Sequence, residues 1–123
     1  MARISLRLSF QDERALGPGK VRLLEMIAET GSISAAGRAM KMSYHRAWDL
    51  VDELNRTFKV PLVAKQPGGP KGGGAQLTAA GREVVRRYRA VETAATKHAG
   101  AHISALERLI RPSVASRRRR PSE

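Results

Sequence analysis

The chain has 123 residues, 41% hydrophobic but only 4% aromatic, and its 23 Lys/Arg against 11 Asp/Glu give a formal charge of +12. That length suits one domain with an aliphatic core and excludes a second buried domain. There is no cysteine, which excludes disulfides, thiolate metal sites and thiol nucleophiles. No apolar run approaches the roughly 20 residues of a membrane span.

Residues 2–10 alternate, with Ile4, Leu6, Leu8 and Phe10 on one side and Arg3, Ser5, Arg7 and Ser9 on the other. Period two predicts a half-buried strand, not the continuous apolar stretch of a signal peptide, so a cytoplasmic protein is expected. A turn follows over 11–17. Pro18 suits the first turn of a helix. Val21, Leu24, Ile27 and Ala28 recur at helical spacing, with Leu23 alongside, and Gly31 ends the helix.

Ser32 can cap a second helix by accepting a backbone N–H. Ile33, Ala36 and Met40 share a face, and Ala35, Ala36, Gly37 and Ala39 are small enough for a crossing helix to come close. Lys41 and Met42 make the turn. Ser43 caps a third helix, about 44–58, whose apolar stripe is Ala47, Leu50, Val51, Leu54 and Phe58. His45, Asp49, Asp52 and Arg56 lie opposite. Tyr44 and Trp48 flank one side of the stripe, Arg46 the other.

Pro61 opens a short strand, 61–66, where a strand tolerates proline. PGGPKGGG (67–74) is a loop and AQLT (75–78) the returning strand. Thr78 caps a last helix, about 79–110. Its apolar positions Val84, Tyr88, Val91, Ala95, Ala99, Ile103, Leu106 and Ile110 run further than packing on a small domain requires. Gly100 weakens that helix by about 1 kcal/mol relative to Ala. Residues 1–111 are read as one domain and 112–123 as a disordered Arg-rich tail. Arg117–Arg120 and Glu123 contribute +3, so the rest of the chain still carries about +9. That charge favours a polyanionic partner.

Two short helices and a tight turn suit insertion of the second helix into the DNA major groove, where residues near its N-terminus reach base edges. Those residues are Ser43, Tyr44, His45, Arg46, Trp48 and Asp49. His45 and Arg46 can donate to guanine or phosphate, and Tyr44 and Trp48 can touch thymine methyls or sugars. Asp49 can accept from cytosine or hold a neighbouring arginine. Trp48, large and at the edge of the apolar stripe, is read first as packing at the core edge, and an ordinary solvated face is the alternative for His45 and Asp49. Ser32, Ser34 and Lys41 are placed for DNA-backbone contacts.

Lys65, Lys71, Gly72 and Gly73 form a basic, unhindered strand–loop segment able to approach phosphate. The P-loop pattern is absent, because Lys71 is followed by Gly72 and then a strand. On the long helix, Tyr88, Val91, Ala95, Ala99, Ile103, Leu106 and Ile110 are expected to pair with a second copy. His98 and His102 are spaced to chelate a metal, but no third ligand joins them, so a solvated or interface pair is the reading. The four tail arginines either add sequence-independent DNA affinity or simply aid solubility. No residue set suggests catalysis, and neither an enzyme activity nor a cofactor is expected.

GSISAAGRAMKMSYHRAWDLVDELN resembles the helix–turn–helix of LysR-type regulators. SYHRAWD followed by GGPKGGGAQLTAAG resembles, more narrowly, the N-terminal domain of ModE-type, molybdate-responsive regulators. The likeness covers about residues 20–90. It implies a winged helix–turn–helix that dimerises on palindromic operator DNA, with Ser43, Tyr44, His45, Arg46 and Trp48 on the recognition helix and Lys65 to Gly74 on the wing. It also implies a link to molybdenum metabolism. Members of that family carry molybdate-binding domains after this one, so a chain ending at 123 is expected to resemble the DNA-binding-only members.

The combined expectation is a mainly α fold with a small β-sheet (α+β): a winged helix–turn–helix with a long C-terminal dimerisation helix. The expected function is a homodimeric, sequence-specific double-stranded DNA-binding regulator, nucleoid-associated in the cytoplasm, with no membrane partner and no bound small molecule. The alternative is an architectural nucleoid protein without sequence preference. A third reading is a protein-interaction module that keeps the fold but not the DNA contact.

Overall fold

The structure, a computed structural model, describes residues 2–66 and 74–112. Strand β1 (Leu8–Ser9) turns through a 3-10 segment (Gln11–Glu13) into β2 (Ala15–Leu16). Helices α1 (Pro18–Thr30), α2 (Ile33–Ala39) and α3 (Tyr44–Thr57) follow, then β3 (Val63–Gln66), β4 (Gly74–Leu77) and α4 (Ala79–Arg108). This is the expected mainly helical winged helix–turn–helix, and the helix limits fall within a few residues of those read from sequence.

The caps explain the limits. Gly31 takes φ 71°, the left-handed geometry that ends α1 without a Cβ clash. The Ser32 hydroxyl accepts the Ala35 N–H, the Ser43 hydroxyl the Arg46 N–H, and the Thr78 hydroxyl the Gly81 N–H. The Thr78 hydroxyl also donates to the Pro61 carbonyl at 2.7 Å, which ties the start of α4 to the segment just before β3, whose strand begins at Val63 rather than at Pro61.

The core is aliphatic. Val21, Leu24 and Ile27 of α1, Ile33 of α2, Val51 of α3 and Leu62 before β3 are all fully buried. Each such side chain contributes on the order of 1.5–3 kcal/mol over leaving it exposed. Ala28, placed by spacing on the apolar face of α1, is exposed, while Val21, Leu23, Leu24 and Ile27 are buried.

Helices α2 and α3 cross closely: a Cβ on Gly37 would lie 2.9 Å from that of Ala47. Strands β3 and β4 are antiparallel, with Val63 opposite Leu77 and Lys65 opposite Ala75. The sheet reaches back to the helices: Ser32 bridges Gly74, and the Ala75 N–H donates to the Gly31 carbonyl at 3.0 Å. The entry to α2 is thus a third, minimal strand of the wing.

The amino-terminal segment differs from expectation. Its alternation is real, with Ile4, Leu6 and Leu8 half-buried between exposed neighbours, but Phe10 is 43% exposed. Only Leu8–Ser9 pairs with another strand. Further back, the Tyr88 hydroxyl of α4 donates to the Leu6 carbonyl at 2.5 Å and the Ala2 N–H donates to Glu107 at 2.6 Å. Alternation reports that one side of an extended chain faces protein; here that protein is largely a helix.

Candidate nucleic-acid interface

The first turns of α3 carry a polar, exposed row. Tyr44 is 58% exposed, and His45, Arg46 and Asp49 are exposed beside it. No acidic residue stands in the first turn of α3, so the positive end of the helix dipole is not offset there. Ala47, Leu50, Val51 and Leu54 of the same helix are buried, which fixes the direction of the exposed row. Tyr44 packs edge-on to His45 at 6.0 Å and tilted on Trp48 at 5.9 Å.

Trp48 is half-buried, and its indole N–H is buried without a hydrogen-bond acceptor. It therefore lies at the core edge, against the Tyr44 ring. The Lys65 ammonium stands 4.7 Å from the centre of its ring and 2.8 Å from Asp52 Oδ1.

The turn before α3 is tight. Lys41 adopts φ 58°, a left-handed conformation that costs a side chain about 1 kcal/mol or more. The Met42 N–H closes the turn on the Gly37 carbonyl at 3.0 Å, leaving Lys41 exposed at the corner. Ser32 and Ser34, at the start of α2, are half-buried, and the Ser32 hydroxyl is engaged as the helix cap. Lys71, Gly72 and Gly73 lie outside the described residues, as do Arg117–Arg120.

Asn55, which the sequence reading did not single out, joins α3 to the wing. Its Oδ1 accepts the Leu62 N–H at 2.8 Å and the Val63 N–H at 3.1 Å, and its Nδ2 donates to the Val63 carbonyl at 3.2 Å. A second tie runs to α1, where Lys20 meets Glu53 at 2.5 Å and the hydrogen bond it donates holds that carboxyl below the ordinary range. Only the residue type of Asn55, late in an amphipathic helix, could have drawn notice.

Helix α4 is packed most closely at its base and carries exposed apolar side chains further out. Tyr88, expected on the face that meets a second copy, is 1% exposed and packed inside its own domain, because its hydroxyl reaches Leu6. Next to it, Arg89 makes a two-pronged pair with Glu25 of α1, at 2.7 and 3.0 Å, and meets Glu92 at 2.6 Å. That hydrogen bonding depresses the Glu25 pKa and raises that of Arg89. Val91, Leu106 and Ile110 are exposed, while Ala95, Ala99 and Ile103 are half-buried. Among the described residues no group of His, Cys, Asp and Glu could hold a metal ion, and no helix is long and apolar enough to cross a membrane.

Residues 19–82 match the family of bacterial regulatory helix-turn-helix proteins, lysR family. The chain is 46% identical over 78 residues to the molybdenum transport protein ModE of Azotobacter vinelandii, covering 63% of this chain and 29% of that one. It is 38% identical over 87 residues to the DNA-binding transcriptional dual regulator ModE of Escherichia coli strain K12, covering 71% and 33%. It thus spans about a third of the length of these curated relatives. The crystal structure of the CbnR_DBD-DNA complex contains a chain of similar fold, with a TM-score of 0.56 at 20% identity, covering 72% of this chain and 95% of that one.

Proposed function

The chain belongs to the lysR family of bacterial regulatory helix-turn-helix proteins, and from that membership we propose that it is a sequence-specific, double-stranded DNA-binding regulator of transcription. The observation that carries this reading is the exposed row Tyr44, His45, Arg46 and Asp49 at the capped start of α3. A coating protein needs only cations along such a face; a varied row of donors, acceptors and rings suits base edges. Helix α3 enters the major groove, and Lys41, Ser32, Ser34 and Ser43 sit near phosphate at the helix ends. Lys71, Gly72 and Gly73, basic and unhindered in sequence, add contacts to phosphate. The names of the relatives support genes of molybdenum handling as targets.

The protein acts as a cytoplasmic homodimer on a palindromic operator. Support comes from α4 and the residues just after it, where Val91, Leu106, Leu109 and Ile110 are exposed apolar side chains without cover in a single chain. Pairing there presents two copies of α3 to successive turns of DNA.

The test is binding to promoter fragments of molybdenum-related genes against scrambled duplexes of equal length, across a salt series. One fragment should bind far more tightly than its scrambled form. Equal affinity for all duplexes refutes the specific reading and favours an architectural role. Arg46→Ala should cost about 1–3 kcal/mol of discrimination at one operator position.

A further inference from the structure

Lys65 is a basic residue in a wing, which ordinarily suggests a phosphate contact. Its surroundings suggest another role. It sits in β3, the first strand of the wing hairpin, one residue before the strand ends. Its ammonium reaches back to α3, 2.8 Å from Asp52 Oδ1 and 4.7 Å from the centre of the Trp48 ring. Trp48 and Asp52 are four residues apart on α3, so the ring and the carboxylate form two walls of one seat.

We propose that Lys65 is a positioning residue that clamps the wing stem to the recognition helix through Asp52 and Trp48, and that it does not contact DNA. Each contact is modest, since both side chains of the ion pair are about 40% exposed. Their combination makes the seat selective, because a cation satisfies the carboxylate and the ring face together. Leaving the seat for a phosphate would break both contacts. It would also bare the Asp52 charge on the helix that approaches a polyanion. The seated lysine therefore holds the wing angle and cancels that charge. The same seat explains why Trp48 lies at the edge of the recognition row: its ring carries Lys65 and leaves Tyr44 outermost.

This inference rests on the DNA-binding reading for its consequence, but not for its geometry. Trp48 is the one tryptophan in the chain, so its emission reads the seat directly in DNA-free protein. Lys65→Met should change that emission, and Lys65→Arg, which keeps charge and reach, should stay near wild type. Unchanged emission in Lys65→Met overturns the clamp, whether or not any duplex is bound.

The second measurement uses the preferred promoter fragment and its scrambled form. Lys65→Met and Asp52→Asn should each lower the preference about two- to tenfold, and the double variant should fall no further than either alone. Lys65→Arg should restore the preference. If Lys65→Met, made in the Asp52→Asn background, still weakens binding to both duplexes and lowers the salt slope by about 0.9, one phosphate contact has been lost and the proposal fails. A wild type that binds every duplex alike sinks the function reading instead, leaving the emission comparison to decide the clamp.

Discussion

Replacing Asn55 with alanine should destabilise the domain far more than its half-exposed position on α3 suggests. The side chain makes three hydrogen bonds, two accepted from the Leu62 and Val63 N–H groups and one donated to the Val63 carbonyl. Leu62 and Val63 are 0% and 2% exposed, so water does not readily replace the lost partner. A net hydrogen bond is worth about 0.5–1.5 kcal/mol and an orphaned buried group about 1–3, which puts the loss near 3 kcal/mol. That is a large share of the roughly 5–15 kcal/mol that holds a domain together. Urea denaturation followed by Trp48 emission gives the value directly, with Arg56→Ala on the exposed face as a control expected within about 0.5 kcal/mol of wild type. Asn55→Asp keeps the acceptor and loses the donor, so it should fall between wild type and Asn55→Ala. A loss below about 0.5 kcal/mol for Asn55→Ala would refute the view that this amide secures the wing stem to α3.

Gly81→Ala and Gly100→Ala should move stability in opposite directions. A Cβ on Gly81 would lie 2.2 Å from the Leu62 carbonyl oxygen, a backbone atom that cannot step aside, so a loss of about 1–3 kcal/mol or more is expected. Gly100 has nothing within 4 Å, and alanine there should add up to about 1 kcal/mol by helix propensity; thermal melts of the two variants decide both. The Glu25–Arg89 pair predicts an acid dependence. Hydrogen bonding from Arg89 lowers the folded-state pKa of Glu25 from 4.5, so its stabilisation is fully present above that value and is lost as pH falls below it through the folded pKa. Wild type should therefore be more stable than Glu25→Gln at neutral pH, and the gap between the two denaturation curves should shrink as pH falls below 4.5; a gap that is constant with pH would refute the linkage.

What the sequence made legible was what depends on near neighbours. Ser32, Ser43 and Thr78 each satisfy an N–H three residues ahead, and Gly31 takes a conformation that glycine adopts cheaply, so all four helix limits could be read locally. The stripe Ala47, Leu50, Val51 and Leu54 likewise follows from helical spacing, and the exposed row beside it is its complement. Contacts between distant segments left no such trace. Asn55 meets residues 62 and 63 only because the chain turns back after α3, and Lys65 meets Asp52 by the same return. Tyr88 fits the repeating apolar pattern of α4 as well as Val91 does. Only the path of the amino-terminal segment to Leu6 buries one and leaves the other exposed. Gly81, in a good helix-starting context, gave no sign that a carbonyl presses against it.

The 30 residues of α4 also make it a lever about 45 Å long. Its closest packing, the Gly81–Leu62 contact, the buried Tyr88 and the Arg89–Glu25 pair, lies within its first eleven residues, and further out the Ala2 N–H meets Glu107. A rotation of about 5° at that base displaces the far end by about 4 Å, more than the roughly 3.4 Å between successive base pairs. Anything fastened near Leu106 and Ile110 therefore inherits errors made at Gly81, magnified. The absence of a single Cβ at Gly81 thus governs where the far end of α4 lies.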